Sequence, residues 1–167
     1  LLEPWIQWPS IQTGLKYKDH QIFHLGDVTS FQGKQIYENL EQQGLSVGAV
    51  SPMNAANRLR KPSYFVPDPW THTSVSGPYL IRRLYLAIRQ AVGDNSSSHV
   101  TLKSKLFIIL SLLRYTRLKS LPLYASVFRD IKNVPGAKAL VLDILLNDVH
   151  HHLYIKHRPN FTHLFIN

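Results

Sequence analysis

The six residues Leu45–Val50 (LSVGAV) constrain what this chain can fold into more than any other stretch. They are short, mostly apolar and β-branched at Val47 and Val50, with Gly44 on one side and Ser51-Pro52 on the other. Such a run reads as a buried strand, with Gly48 allowing close approach of a neighbouring backbone. Just upstream, Lys34–Gln43 (KQIYENLEQQ) places Ile36, Tyr37 and Leu40 on one helical face. Gly44 then stands where a helix C-terminus favours a left-handed residue. Helix, glycine and strand make half of an α/β unit.

The far end supplies a second strand. In Asn160–Asn167 (NFTHLFIN), Phe161, His163 and Phe165 alternate with Thr162, Leu164 and Ile166, and Arg158-Pro159 is a suitable preceding helix stop. Between the strands the spacing predicts helices over Pro78–Val92, Leu102–Leu118, Pro122–Lys132 and Ala137–Lys156. The first carries an apolar stripe of Leu80, Ile81, Leu84, Ile88 and Ala91; the last turns Leu140, Ile144, Leu145 and Val149 to one face. Gly93–Ser98 (GDNSSS) reads as a loop and Pro135-Gly136 as a turn. Strands separated by helices suggest a parallel sheet, and two strands cannot make a stable one, so further strands are expected outside this sequence. Residues 1–167 are therefore expected to be an incomplete N-terminal-to-middle part of one α/β domain, with residues 78–157 as a helical block or insertion beside the sheet. The chain opens on Leu1-Leu2-Glu3-Pro4, without a Met, which fits a segment of a larger protein.

Two stretches escape this pattern. Glu3–Asp27 (EPWIQWPSIQTGLKYKDHQIFHLGD) is too aromatic for a linker and too irregular for a plain strand or helix. Ser51–Gly77 is rich in Pro, Ser, Asn and Thr, and its Tyr64, Phe65 and Trp70 mark an ordered loop packed near a site.

Composition narrows the function. At 167 residues with 44% hydrophobic content the chain can bury a real core, and without Cys it has neither disulfides nor thiolate metal sites. The formal charge of +9 admits anionic partners or simply a solvated basic surface, because the charges are spread. A basic helical module built on Arg82, Arg83, Arg89, Arg114, Arg117 and Lys119 would bind nucleic acid or an anionic membrane, but no nucleic-acid motif supports it. The longest apolar run, Leu106–Leu113, is far below the ~20 residues of a transmembrane helix.

Several constellations could carry chemistry. His150-His151-His152 would lie about 100° apart on a helix, so they do not converge on one ion. Asp68 and His72 are four apart around Pro69, as a ligand pair or as an Asp-Pro turn. His20 and His24 with Asp19 and Asp27 form either a divalent-metal cluster or a capping loop. Ser10 and Thr13 are the hydroxyls of the opening stretch; Ser10 is a nucleophile if activated, or an N-cap.

The run WPSIQTGLKYKDHQIFHLGD resembles the alkaline phosphatase superfamily, in particular its type I phosphodiesterase and nucleotide pyrophosphatase-like branch. Thr13-Gly14 and His20 match that family's Thr-Gly and His positions, with Gln21 in place of the following Gly. The helix ending at Gly44, LSVGAVSPMNA and NFTHLFIN look like later family elements. The resemblance implies a partial α/β/α sandwich with a helical cap or insertion and two divalent metal ions, usually zinc. The implied reaction is hydrolysis of small anionic phosphate or sulfate esters. Gln7, Thr13, Asn54 and Asp68 are then the substrate-binding candidates. The family's nucleophile, nine residues before the Thr, falls on Pro4 here. This leaves the catalytic residues and metal ligands unassigned, and a non-catalytic relative binding an anionic ligand or partner is the alternative.

Overall fold

Val47–Val50 forms strand β1, and every residue in it is buried. The structure, a computed structural model, describes residues 3–93, 100–130 and 136–166. In chain order the elements are α1 (Pro4–Thr13), α2 (Tyr17–His20), α3 (Ile36–Gln42), β1, β2 (Tyr64–Val66), α4 (Tyr79–Gly93), α5 (Leu102–Tyr115), α6 (Leu121–Asp130), α7 (Ala137–His157) and β3 (Phe161–Leu164). Short 3-10 turns occupy Asp27–Thr29 and Leu118–Ser120.

The sheet has the order β2-β1-β3 and both ladders are parallel, Gly48 facing Tyr64 on one side and Thr162 on the other. The chain is thus of mixed α/β type. Period-two alternation divides the strands between two cores. Val47, Ala49 and Phe65 pack with Tyr37 of α3. Val50, Tyr64 and Val66 pack with Ile81, Leu84 and Ile88 of α4 and Leu145, Val149 and Leu153 of α7. Parallel strands buried on both faces require helices on both sides, and the helices supply them. A further cluster joins Tyr124 and Val127 of α6 to Val141 and Ile144 of α7.

Several expectations need correction. The start of the irregular opening stretch is helix α1. Pro4 sits in its first turn, where a missing N–H costs nothing. Pro9 lies inside the helix and cannot donate to the Trp5 carbonyl four residues back; that carbonyl accepts from the Asn54 side-chain amide at 3.1 Å instead. Ser10 accordingly stands in the body of α1 and caps nothing. In α7 the buried face is Val141, Ile144, Leu145 and Val149, while Leu140 is 44% exposed. β2 lies within the Ser51–Gly77 loop, where only three residues separate its turns. The helix expected to reach Leu118 stops at Tyr115, and the Arg117 N–H and guanidinium turn to the buried Asp148 carboxylate. Beyond Gly93, the Gly93–Ser98 loop lies outside the described residues, as do Pro135, the end of the Pro122–Lys132 helix and Asn167.

The closest approach at Gly48 is made by a side chain. A Cβ built there would lie 2.4 Å from Cζ of the Tyr64 ring, whose hydroxyl is held by Thr162 Oγ1 at 3.1 Å. Gly48→Ala therefore has no room on the core side of the sheet. It is expected to lower stability by about 1–3 kcal/mol in urea denaturation, the usual cost of overpacking.

Candidate functional site

In an open parallel sheet, ligands collect outside the carboxyl ends of the strands, where the strand order reverses. Here β2 and β3 lie on opposite sides of β1, so the reversal falls at the end of β1. The two stretches singled out from the sequence meet there. Gln12 of α1 donates to the Met53 carbonyl at 2.8 Å, and Trp8 sets its ring edge-on to Phe165 beyond β3, with centroids 5.3 Å apart.

Asn54 ties this end of the molecule together. It holds a left-handed φ of 49° and is fully buried. Its Nδ2 donates to the Trp5 and His24 carbonyls, its Oδ1 accepts from Gly26 N–H, and its own N–H donates to Asp68. Asp68, also fully buried, accepts from Asn54 N–H, Trp70 N–H, Thr71 N–H and the Thr71 hydroxyl at 2.6–3.0 Å. Burial pushes its carboxyl above the ordinary range, against the pull of those four donors. Both residues thus direct their side-chain polar atoms to the protein and shape the site from beneath.

Thr13 donates its hydroxyl to the Pro9 carbonyl at 2.6 Å and accepts from Leu15 N–H at 3.2 Å, closing the end of α1. Gln7 lies on the exposed side of the same helix. Of the four candidate substrate residues, Asn54 and Asp68 are joined directly by a hydrogen bond.

Ser10 and His20 form a pair that spacing alone did not indicate, at 2.8 Å between Oγ and Nε2. The Ile22 N–H donates to His20 Nδ1 at 3.0 Å, which leaves the ring proton on Nε2. Ser10 Oγ accepts that proton's hydrogen bond, so neutral His20 holds the serine in place and does not take its proton. His24 belongs to a capping loop: its backbone N–H donates to Asp27 Oδ2 at 2.8 Å. His72 Nε2 accepts from Arg89, and His150 and His152 pack separately, the first against Tyr64 and the second against Tyr115. Among the described residues, no group of three or more His, Cys, Asp or Glu is placed to hold a metal ion.

Five arginines of the helical region, Arg82, Arg83, Arg89, Arg114 and Arg117, have local partners. Arg83 stacks on Tyr79 and Phe107, Arg82 donates to the Gly77 carbonyl, and Arg117 pairs with Asp148. Among the described residues, no helix is long and apolar enough to cross a membrane.

Two residues of this region carried no signal in the sequence. Ser51 directly follows β1 with a left-handed φ of 55°, a conformation set by the tertiary fold. Gln12 is 3% exposed, and its Oε1 has no hydrogen-bond partner among the described residues. No protein-family model, curated protein or solved structure matches the chain.

Four imidazoles, His20, His150, His152 and His163, lie below the ordinary value, with burial the largest cause in each. Their folded forms bind fewer protons than the unfolded chain, so stability is complete above the ordinary histidine value and is lost as pH falls below it. Urea midpoints are expected to be lower at about pH 5.5 than at about pH 7.5, and His20→Asn should shrink the difference.

Proposed function

We propose that the chain is part of a metal-dependent hydrolase acting on phosphate or sulfate esters, of the alkaline phosphatase and type I phosphodiesterase kind. The carrying observation is the convergence of Glu3–Thr13 and Ser51–Trp70 at the carboxyl end of the central parallel strand, fastened by Asn54. In this reading the fold is a partial α/β/α sandwich, with α1 and α3 over one face of the sheet and α4 and α7 over the other. Gln7 and Thr13 border the substrate, while Asn54 and Asp68 hold the loops that surround it. The formal charge of +9 favours a small anionic ester over a neutral one.

Two divalent metals, zinc by resemblance, would supply Lewis acidity and an activated nucleophile. The described residues offer no three-ligand group, so they do not by themselves fit such a centre, and no step is assigned through it.

A second reading, a non-catalytic relative that binds an anionic ligand or partner, is favoured by Pro4. It occupies the family's nucleophile position and forms the first turn of α1. Ser10, the nearest hydroxyl with an imidazole partner, accepts a hydrogen bond and does not donate its proton.

An aryl phosphodiester assay on the full-length protein separates the two. The hydrolase reading expects turnover that chelation abolishes and zinc restores. Absence of turnover together with absence of bound metal selects the non-catalytic reading.

A further inference from the structure

Helix α5 is apolar on two opposite sides. Ser111 and Tyr115 are buried, and Ile108 and Leu112 pack against the core shared by α4 and α7. At about 100° per residue, Leu102, Leu106, Ile109 and Leu113 fall on the other side of the helix. They are 83%, 52%, 53% and 79% exposed and form a stripe about 17 Å long. Apolar exposure continues at Leu118 in the next turn. Across a depression of about 370 Å³ shared by α5 and α6 it continues again at Leu121 and Phe128. A helix that is apolar all round is ordinarily buried, and a contiguous apolar patch on the surface marks a place of interaction.

The borders of the stripe indicate what covers it. Lys105 stands on one flank, Lys103 and Arg114 on the other, and Lys119 follows Leu118; all four are exposed. Residues 100–129 hold six Lys or Arg and no Asp or Glu, and of the six Arg117 is engaged by Asp148 of α7. A second copy of the chain would set one basic border against another, which repels. The composition also departs from that of a protein–protein contact, where aromatic residues and Arg are enriched and Lys is depleted. Leucines and an isoleucine between lysines match the boundary of acyl chains and anionic headgroups instead. There lysine stems lie along apolar surface while their heads stay in water.

We infer that the exposed face of α5, continued onto α6, docks on an anionic membrane surface. With 14 residues α5 is shorter than the ~20 that cross a bilayer, so it lies in the plane of the interface. The leucines enter the edge of the acyl layer, and Lys103, Lys105, Arg114 and Lys119 meet the negative headgroups. Apolar burial and charge attraction are each weak for a single short helix, and the two act together here. The readout is lipid binding, so the inference holds or fails separately from the ester-hydrolase reading.

Co-sedimentation of the full-length protein with vesicles tests this, using phosphatidylcholine alone and an equimolar mixture with phosphatidylserine. Binding to the mixture is expected to be at least about 10-fold tighter than to phosphatidylcholine, and to weaken as salt is raised. Leu106→Gln and Leu113→Gln change exposed side chains, so the fold is retained. Each should weaken binding to the mixture by roughly 10-fold through lost apolar burial. Lys105→Gln should weaken it by roughly 5-fold, the share of one cation near a negative surface. Four results would overturn the inference: no binding to either vesicle, equal binding to both, leucine variants that bind as the parent does, or self-association of the protein that Leu106→Gln abolishes.

Discussion

A proline inside a helix leaves one carbonyl without its donor, and the arrangement of this molecule's amino-terminal third depends on how that debt is met. Pro9 takes the donor from Trp5, and the side chain of Asn54, 49 residues along the chain, supplies it. The same amide reaches the His24 carbonyl, its oxygen receives Gly26, and its backbone N–H goes to Asp68. A carboxamide with both ends satisfied in a buried place is specific in position as well as in chemistry. It fixes α1, the turn at His24–Gly26 and the loop after β1 relative to one another. The two irregular stretches of the sequence thereby become one structural unit.

That unit sits at the carboxyl edge of a sheet whose own requirements are simpler. Parallel strands must be covered on both faces, and the alternation of Val47 and Ala49 with Gly48 and Val50 assigns each face its helices. Gly48 is the exception to filling by volume, because the Tyr64 ring occupies the space its side chain would take. Tyr64 in turn reaches Thr162 of β3 and His150 of α7, so one ring crosses from one edge of the sheet to the other. Tyr37 does the equivalent on the opposite face, where its hydroxyl meets His163 Nδ1 at 2.7 Å. Burial pushes the Tyr37 hydroxyl up and the His163 imidazole down, so both partners of that bond favour their uncharged forms.

Where periodicity is strong, the elements could be read directly. β1, β3, α3, α4 and α7 fall close to their expected places because each carries a regular apolar pattern that is buried in the fold. α1 could not be read this way: two prolines and two tryptophans in ten residues speak against a helix, and contacts from distant residues, Asn54, Met53 and Phe165 among them, hold it. β2 was hidden by its brevity among prolines. The face of α7 was displaced by one residue because Leu140 and Val141 are both apolar, and only packing against α6 distinguishes them. In the candidate site, Asn54 and Asp68 were visible as polar residues in a loop, but their inward orientation was not. Ser51 was silent, since a backbone angle imposed by the end of a strand leaves no mark on residue type.

The sheet order also has a kinetic meaning. Ser46 and Asn160, which exchange hydrogen bonds where the β1–β3 ladder begins, are 114 residues apart, and Tyr37 and His163 are separated by 126. Bringing such positions together from a flexible chain costs on the order of 4 kcal/mol of closure entropy before any contact repays it. The intervening helices make mostly local contacts, among them the extensive face shared by the neighbours α4 and α5. This topology favours early helix pairing and late capture of β1 by β3. Until that capture, one edge of the most apolar strand in the chain is open to pairing with whatever strand arrives first. Its correct partner therefore has to be delivered by the helices that separate the two.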